Sequence, residues 1–285
     1  MEPVTCLPSS CRQPDNASMR RLPPDALGPV HYALPRSPNT AEARSVAGGS
    51  SPGWVFEDRS VLLIGSEGME GFWLFADDAA TDLEATMRDF AQGQGRATMA
   101  EAGCDYLEIS SASANCQRAL REALSPWDVE ETVCKILRSE GTAPPTPSSP
   151  ILLPVLDVLR SGGDAGVDVA EKIRLFWGTA ERFMEAGGMG FCSMVDEQPV
   201  SVCMSAFIDG DVHCVDMETS EAFRRQGHGA ATAGAFRQAC QDTAVTMHWS
   251  CMEENVASYR LARKIGLVEV GTYTTLGIYY DESVE

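Results

Sequence analysis

No stretch of this chain is apolar for long enough to cross a bilayer, and its first residues lack the basic-then-apolar layout of a secretory signal. The expectation is a cytoplasmic protein with no membrane partner. Arg12, Arg20, Arg21, Arg36 and Arg44 lie among serines as in organelle-targeting segments, but Glu2, Asp15, Asp25 and Glu42 interrupt them. Cations are scarce: 22 Lys and Arg stand against 41 Asp and Glu, a formal charge of −19. A phosphate backbone would be repelled, which excludes nucleic acid as a partner and favours a cationic or amine ligand. Ten cysteines occur without a Cys-x-x-Cys pair or a histidine at ligand spacing. That excludes a disulfide framework and a structural zinc site, and no metal is expected. Cys192, Cys203 and Cys214 fall on three successive predicted strands and read as small core filler.

At 285 residues the chain can bury one large core or two modest ones. Residues 1–52 hold nine of the sixteen prolines and a single aromatic residue, Tyr32, and are expected to be a disordered tail. From residue 53 to 140 the pattern turns globular. Val61–Ile64, Phe72–Phe75 and Asp105–Ser110 read as short strands, and Thr81-Asp82-Leu83-Glu84 has the form of a capping box before a helix bearing Leu83, Met87 and Phe90. Helices are expected at Asn115–Leu124 and Asp128–Arg138, completing a small α/β domain. A proline-rich linker follows at 141–150, and then a second domain, 151–285. This opens with Val169, Ile173, Phe176, Trp177, Ala180, Phe183 and Met184 on one face of what reads as a single long helix ending at Gly187-Gly188. That face belongs to the core, with Trp177 and Phe183 as secondary candidates for substrate contact.

The stretch Arg224-Arg225-Gln226-Gly227-His228-Gly229-Ala230 gathers arginines, two glycines and the start of an alanine-rich helix. Glycines let the backbone turn tightly and aim several N–H groups at one point, and a helix start adds orphan amides and a positive dipole end. The expected guest is a diphosphate. A Walker loop would need Lys and then Ser or Thr where Ala230 and Ala231 stand, and the dinucleotide fingerprint would need glycine at Thr232. Three predicted strands (Gly190–Asp196, Pro199–Ile208, Val212–Thr219) lead into the loop. A helix near Ala230–Gln241, a strand Val245–Cys251 and a helix from Asn255 to Gly266 follow it.

Arg-x-x-Gly-x-Gly at Arg224–Gly229 resembles the coenzyme A diphosphate loop of the GNAT superfamily of N-acetyltransferases. Asn255-x-x-Ser258-x-x-Leu261-x-x-Lys264-x-Gly266 resembles that family's second signature, with Leu267 in place of the usual Phe. Phe183–Cys192, Pro199–Ser201, His248–Cys251 and Glu254-Asn255 are similar to the branch that includes a zwittermicin-resistance acetyltransferase. The resemblance runs from about 176 to 280. It implies an α/β (α+β) chain: a GNAT acyltransferase fold with a mixed, mostly antiparallel sheet, preceded by a smaller α/β domain that would be a degenerate relative of the same fold. It also implies acetyl-CoA as cosubstrate and a small, cationic amine acceptor, in a monomer or homodimer. Cofactor contacts would come from Met217 and Thr219 through main chain, from Arg224, Arg225, Gln226, Gly227, His228, Gly229 and Ala230, and from Asn255 and Ser258.

Asp216 and Glu218 project to one face of their strand. Glu218 lies nearer the loop and is the candidate general base, with a solvated strand carboxylate as its plain alternative. Ala262 stands where many relatives carry the Tyr that protonates the departing thiolate, so no general acid is assigned. Two classes therefore remain open: an N-acetyltransferase, or a catalytically silent acyl-CoA-binding module used for sensing or assembly.

Overall fold

A computed structural model describes residues 19–280 except 59, 69–70, 78–79, 81 and 145–150. The described residues up to Cys134, joined by those from Thr272 onward, make one compact unit, and Lys135–Gly271 make a second. The expected division falls at 141–150, of which 145–150 lie outside the described residues, as does Thr81 of the expected capping box.

The first unit begins with β1 (Arg20–Arg21), α1 (Leu27–Ala33) and α2 (Ala41–Ala47). This corrects the expectation of disorder for the described part of residues 1–52; residues 1–18 lie outside the description. Despite its prolines, the segment supplies Leu22, Val30, Leu34, Ala43, Val46 and Ala47 to a core with Val55, Leu62 and Ile64. The buried Arg44 ties its two helices by donating to the carbonyls of His31 and Leu34, both at 2.7 Å. Next come β2 (Gly53–Asp58), β3 (Val61–Ser66) and β4 (Gly71–Ala76), an antiparallel meander of buried apolar side chains. Then α3 (Leu83–Phe90), a π-helical turn and α4 (Arg96–Glu101) lead to β5 (Tyr106–Ser111), which lies parallel to β4. Leu83, Met87 and Phe90 are buried as their spacing requires. The helix α5 (Ala114–Leu124) precedes β6 (Val129–Ser139).

β6 is a strand where a helix was expected. Its β-branched Thr132 and Val133 and its buried Cys134 and Ile136 suit a pleated surface, and this outweighs Asp128 and Glu131, which have the form of a helix start.

The second unit has β7 (Leu152–Pro154), α6 (Val155–Ser161), α7 (Gly163–Trp177) and α8 (Ala180–Glu185) before its own meander, β8 (Gly190–Val195), β9 (Gln198–Asp209) and β10 (Val212–Thr219). The single long helix that the apolar spacing predicts is broken in two. Gly178 takes the left-handed conformation (φ +71°), and the hydroxyl of Thr179 accepts from Arg182 N–H to cap the next helix. Trp177 and Phe183 stay in register across the break, fully buried with rings 5.7 Å apart, so they belong to the core. Then follow α9 (His228–Asp242), β11 (Thr246–Met252), α10 (Val256–Lys264) and β12 (Leu267–Tyr279), whose last residues pair with β5 in the first unit. The core between α9, α10 and the strands holds Cys203, Phe236, Met247, Trp249 and Leu267. The chain is a mixed, mostly antiparallel α+β structure.

Both units share one connection pattern. An antiparallel three-strand meander leads through a helix to a strand parallel to the meander's last member, and then through a second helix to a further strand. Among the described residues, no helix is long and apolar enough to cross a membrane.

Candidate active site

β10 pairs with β9 along its whole length, down to Thr219↔Ser201. Its pairing with β11 stops at Cys214↔His248, where a bulge falls between Cys214 and Val215. Past that point the two parallel strands part, and the edge of β10 from Val215 to Thr219 has no ladder partner among the described residues. Unpaired amides and carbonyls on a strand edge are ready to pair with an extended ligand.

At the end of that edge the chain makes a short turn, Glu221–Phe223, and enters the predicted cradle. The guanidinium of Arg224 folds back to donate to Thr219 O at 3.1 Å, and the amide of Gln226 donates to Ala222 O at 2.8 Å. Arg225 and Gly227 are both left-handed (φ +64° and +95°). An arginine held there carries backbone strain of about 1 kcal/mol, a mark of a constrained functional loop. α9 then starts at His228 with no side-chain cap, and its first intrahelical bond runs from Ala231 N–H to Gly227 O at 3.0 Å. The amides of His228, Gly229 and Ala230 therefore open towards the loop. Gly229 is needed for closeness: a Cβ there would stand 2.8 Å from Met217 Cε and 3.0 Å from Thr219 Oγ1. His228 is buried, its Nδ1 2.7 Å from the Ser193 hydroxyl of β8, which anchors the helix start to the sheet. Uncapped amides, two exposed arginines and an open strand edge fit the diphosphate and amide chain of coenzyme A.

Met217 and Thr219 face α9, whereas Asp216 and Glu218 face α7. On the α7 side lies a cleft of about 440 Å³ lined by Asp168, Glu171, Lys172, Ser201, Glu218 and Ser220, among others. Inside it the Lys172 ammonium contacts the Glu218 carboxylate. Asp216 is half-buried, and its pKa is raised, chiefly by desolvation; Lys172 opposes the shift and the Glu218 charge adds to it. Lys172, Asp168, Glu171 and Ser193, the partner of the predicted His228, are not legible as site residues in the sequence. The one available signal is that Lys172 falls off the apolar stripe of its helix, which does not say what it meets.

Asn255 and Ser258 have local roles. Asn255 Oδ1 caps α10 by accepting from Ser258 N–H at 3.0 Å, and the Ser258 hydroxyl accepts from the Trp249 indole at 2.9 Å. Ala262 is fully buried. The Tyr259 hydroxyl donates to Glu269 at 2.9 Å, a bond that raises its pKa and commits its proton. Cys251 is buried, with its pKa raised by desolvation.

At the equivalent connection of the first unit, residues 78–79 and 81 lie outside the described residues, and the comparison rests on sequence. Residues 77–82 read Asp-Asp-Ala-Ala-Thr-Asp, with no glycine or arginine, and the hydroxyl of Ser111 donates to Leu74 O on β4 at 3.2 Å.

Residues 168–276 match a family model described as GNAT acetyltransferase. No curated protein matches the chain in sequence. Among solved structures, the chain is similar in fold to a GCN5-related N-acetyltransferase from Kribbella flavida (TM-score 0.58, 15% identity, 86% of this chain and 96% of that one). A GCN5-related N-acetyltransferase-like protein from Streptococcus suis is also similar (0.55, 15%, 77% and 84%), as is a tandem GNAT protein from the clavulanic acid biosynthesis pathway (0.53, 10%, 92% and 94%). Residues 168–276 are thus similar to the GNAT acetyltransferase family in sequence, and the chain shares the fold of solved GNAT proteins.

Proposed function

We propose that the chain is an N-acetyltransferase that moves an acetyl group from acetyl-CoA to the amine of a small cationic acceptor within a ternary complex. The observation that carries this reading is the parting of β10 from β11 after Cys214, directly upstream of an uncapped helix start. In it, Arg224, Arg225 and Gln226 and the amides from Gly227 to Ala230 hold the diphosphate. The main chain of β10 at Met217 and Thr219 aligns the pantetheine arm. Asn255 and Ser258 act indirectly, by fixing the start of α10 and its contact with Trp249. Acetyl-CoA supplies an already activated thioester, so the protein has only to place and deprotonate the amine.

Glu218 takes that proton in this reading, since it stands on the open strand in a cleft that an acceptor can enter. The cleft walls carry Asp168 and Glu171, and the chain carries −19, which favour a cationic amine. Asp216 is the competing base: it lies nearer the point where the strands part, and desolvation has already raised its pKa. The coenzyme thiolate takes its proton from water, because Ala262 offers none and Tyr259 is bound to Glu269. The acceptor is a free small amine, an antibiotic among the candidates, and neither nucleic acid nor membrane is a partner. We place the reaction in the cytoplasm, with the chain acting as monomer or homodimer and no metal. The first unit is a companion domain that does not bind the cofactor.

The second reading, a silent acyl-CoA-binding module, is favoured by one observation: Lys172 already engages Glu218. A coenzyme A release screen over an amine library separates the two. Turnover with any amine supports the enzyme; acetyl-CoA binding without turnover across the library overturns it in favour of the module.

A further inference from the structure

The chain contains three lysines, Lys135, Lys172 and Lys264. Lys135 bridges Glu253 and Glu269 on the surface, and Lys264 ends α10 beside solvent. Lys172 differs from both. It sits on α7 within the cleft, and its nitrogen contacts the carboxylate of Glu218 on the strand whose edge stays open. An amine touching a carboxylate at that place has the geometry required of an acceptor and its base. Its side chain is only partly exposed (30%), so the helix holds it within reach and spares the entropy of bringing in a free amine.

We infer that Lys172 is itself a modification site: in the absence of an external amine, its Nζ accepts the acyl group from an acyl-CoA thioester. The inference rests on the proposed acyl-CoA reading of the same site. The balance is simple. The Lys172 ammonium gives one proton to Glu218, and the neutral nitrogen forms a bond to the acyl carbon as the carbon–sulfur bond breaks. The sulfur leaves with the bonding pair and takes a proton from solvent. The nitrogen sheds its second proton on becoming an amide, and Glu218 returns its own to water. Nothing is oxidised or reduced. Acylation removes the charge of Lys172 and with it the ion pair, leaving Glu218 free for an external acceptor and the cleft more acidic by one charge. The site would so be primed by its own chemistry.

The test is mass spectrometry of the full chain after incubation with acetyl-CoA alone, with peptide mapping of the three lysines. The expected result is one acetyl group, at Lys172, added roughly 10²-fold faster than at Lys264, which reports background chemistry. Lys172→Arg keeps the charge but cannot be deprotonated, so it should remain unmodified. Gly229→Asp, which spoils the cradle, should reduce labelling of Lys172 to the rate of Lys264. Equal rates at Lys172 and Lys264 in the wild type, or a Lys172 rate indifferent to Gly229→Asp, would overturn the inference. Thermal stabilisation by acetyl-CoA is read alongside. If the cofactor stabilises the protein and external amines turn over while Lys172 stays unmodified, this inference fails and the acetyltransferase reading stands. Absence of stabilisation removes both.

Discussion

Gly229→Asp places a carboxylate where the amides of α9 converge, and its consequences can be worked from the structure in two parts. The folding part is steric. The new Cβ would come within 2.8 Å of Met217 Cε and 3.0 Å of Thr219 Oγ1, and 3.6 Å from Leu261 Cδ2. Met217 can swing its terminal methyl aside, whereas the Thr219 hydroxyl is paired with Ser201 at 2.9 Å and yields less easily. Crowding of this kind costs about 1–3 kcal/mol. A negative charge at an uncapped helix start returns roughly 0.3–1 kcal/mol of that. The protein should fold, melting a few degrees lower. The binding part is electrostatic. One charge about 4 Å from one diphosphate charge is worth about 4 kcal/mol at the effective dielectric of a protein surface, close to a thousandfold in affinity. At a ligand concentration about 100 times the wild-type Kd, the wild type gains about 2.7 kcal/mol, a rise of roughly 5–10 °C in Tm. The variant at the same concentration should show no measurable rise. Differential scanning fluorimetry with and without acetyl-CoA reads both parts at once, and Gly229→Ala supplies the crowding without the charge, so it should keep part of the shift. A Gly229→Asp protein that acetyl-CoA stabilises as much as wild type would refute the assignment of the cradle.

Glu218→Gln should lower turnover of an identified amine by roughly 10²- to 10⁴-fold with acetyl-CoA stabilisation unchanged, and the loss should shrink as pH rises and more acceptor arrives neutral. Asp216→Asn should cost much less; a loss confined to it transfers the base role to Asp216. Gly227→Ala forces a Cβ into the left-handed region at φ +95° and should destabilise by about 1–2 kcal/mol while raising the KM for acetyl-CoA, although nothing stands within 4 Å of the new methyl. His213 and His248 are held neutral chiefly by burial, with Arg138 adding to the effect on His248, and their pKa values fall from 6.5 to about 4 and about 3. Because these folded-state values lie below the unfolded one, the stability is complete above pH 6.5 and is lost as pH falls towards 4 and 3. Urea unfolding at pH 7 and pH 5 should differ by about 2 kcal/mol per histidine, and His213→Gln should remove its share.

Strands that carry a full alternation are legible in the sequence. Val212–Thr219 is bounded to the residue, and β8, β9 and β11 to within a residue or so. Elements that depend on a single backbone choice are not. Gly178 breaks the long helix only because it turns left-handed and Thr179 caps α8, while the apolar spacing runs unbroken past both. Composition misleads at residues 24–47, where prolines at helix starts and a buried arginine making main-chain hydrogen bonds take the place of an apolar run. The Asn255–Ser258 signature is legible as a pattern, but its atoms turn out to be engaged locally. Lys172 and Glu218 lie 46 residues apart, and the packing of α7 against β9, the partner of β10, brings them together.

The two units sharpen the question of what makes such a site, because they share a connection pattern and differ in a few residues. Both have a meander whose last strand lies parallel to the next strand for only three residue pairs, so both backbones create an edge without a ladder partner among the described residues. In the first unit that edge meets a local donor, Ser111 to Leu74 O, and the connection after it carries three aspartates and no glycine. In the second the edge stays open, and the connection carries two arginines, a left-handed Gly227 and a Gly229 packed closely against Met217 and Thr219. A strand pattern tolerates wide substitution because it asks only for apolar alternation. An anion site asks for amides that point at one place, no Cβ in the way and a positive local field. Loss of two glycines and a change of local charge would erase the second set of demands while leaving the first intact. A shared connection order is then visible in topology and invisible in sequence, and the unit with the two glycines is the one for which the chemistry is proposed.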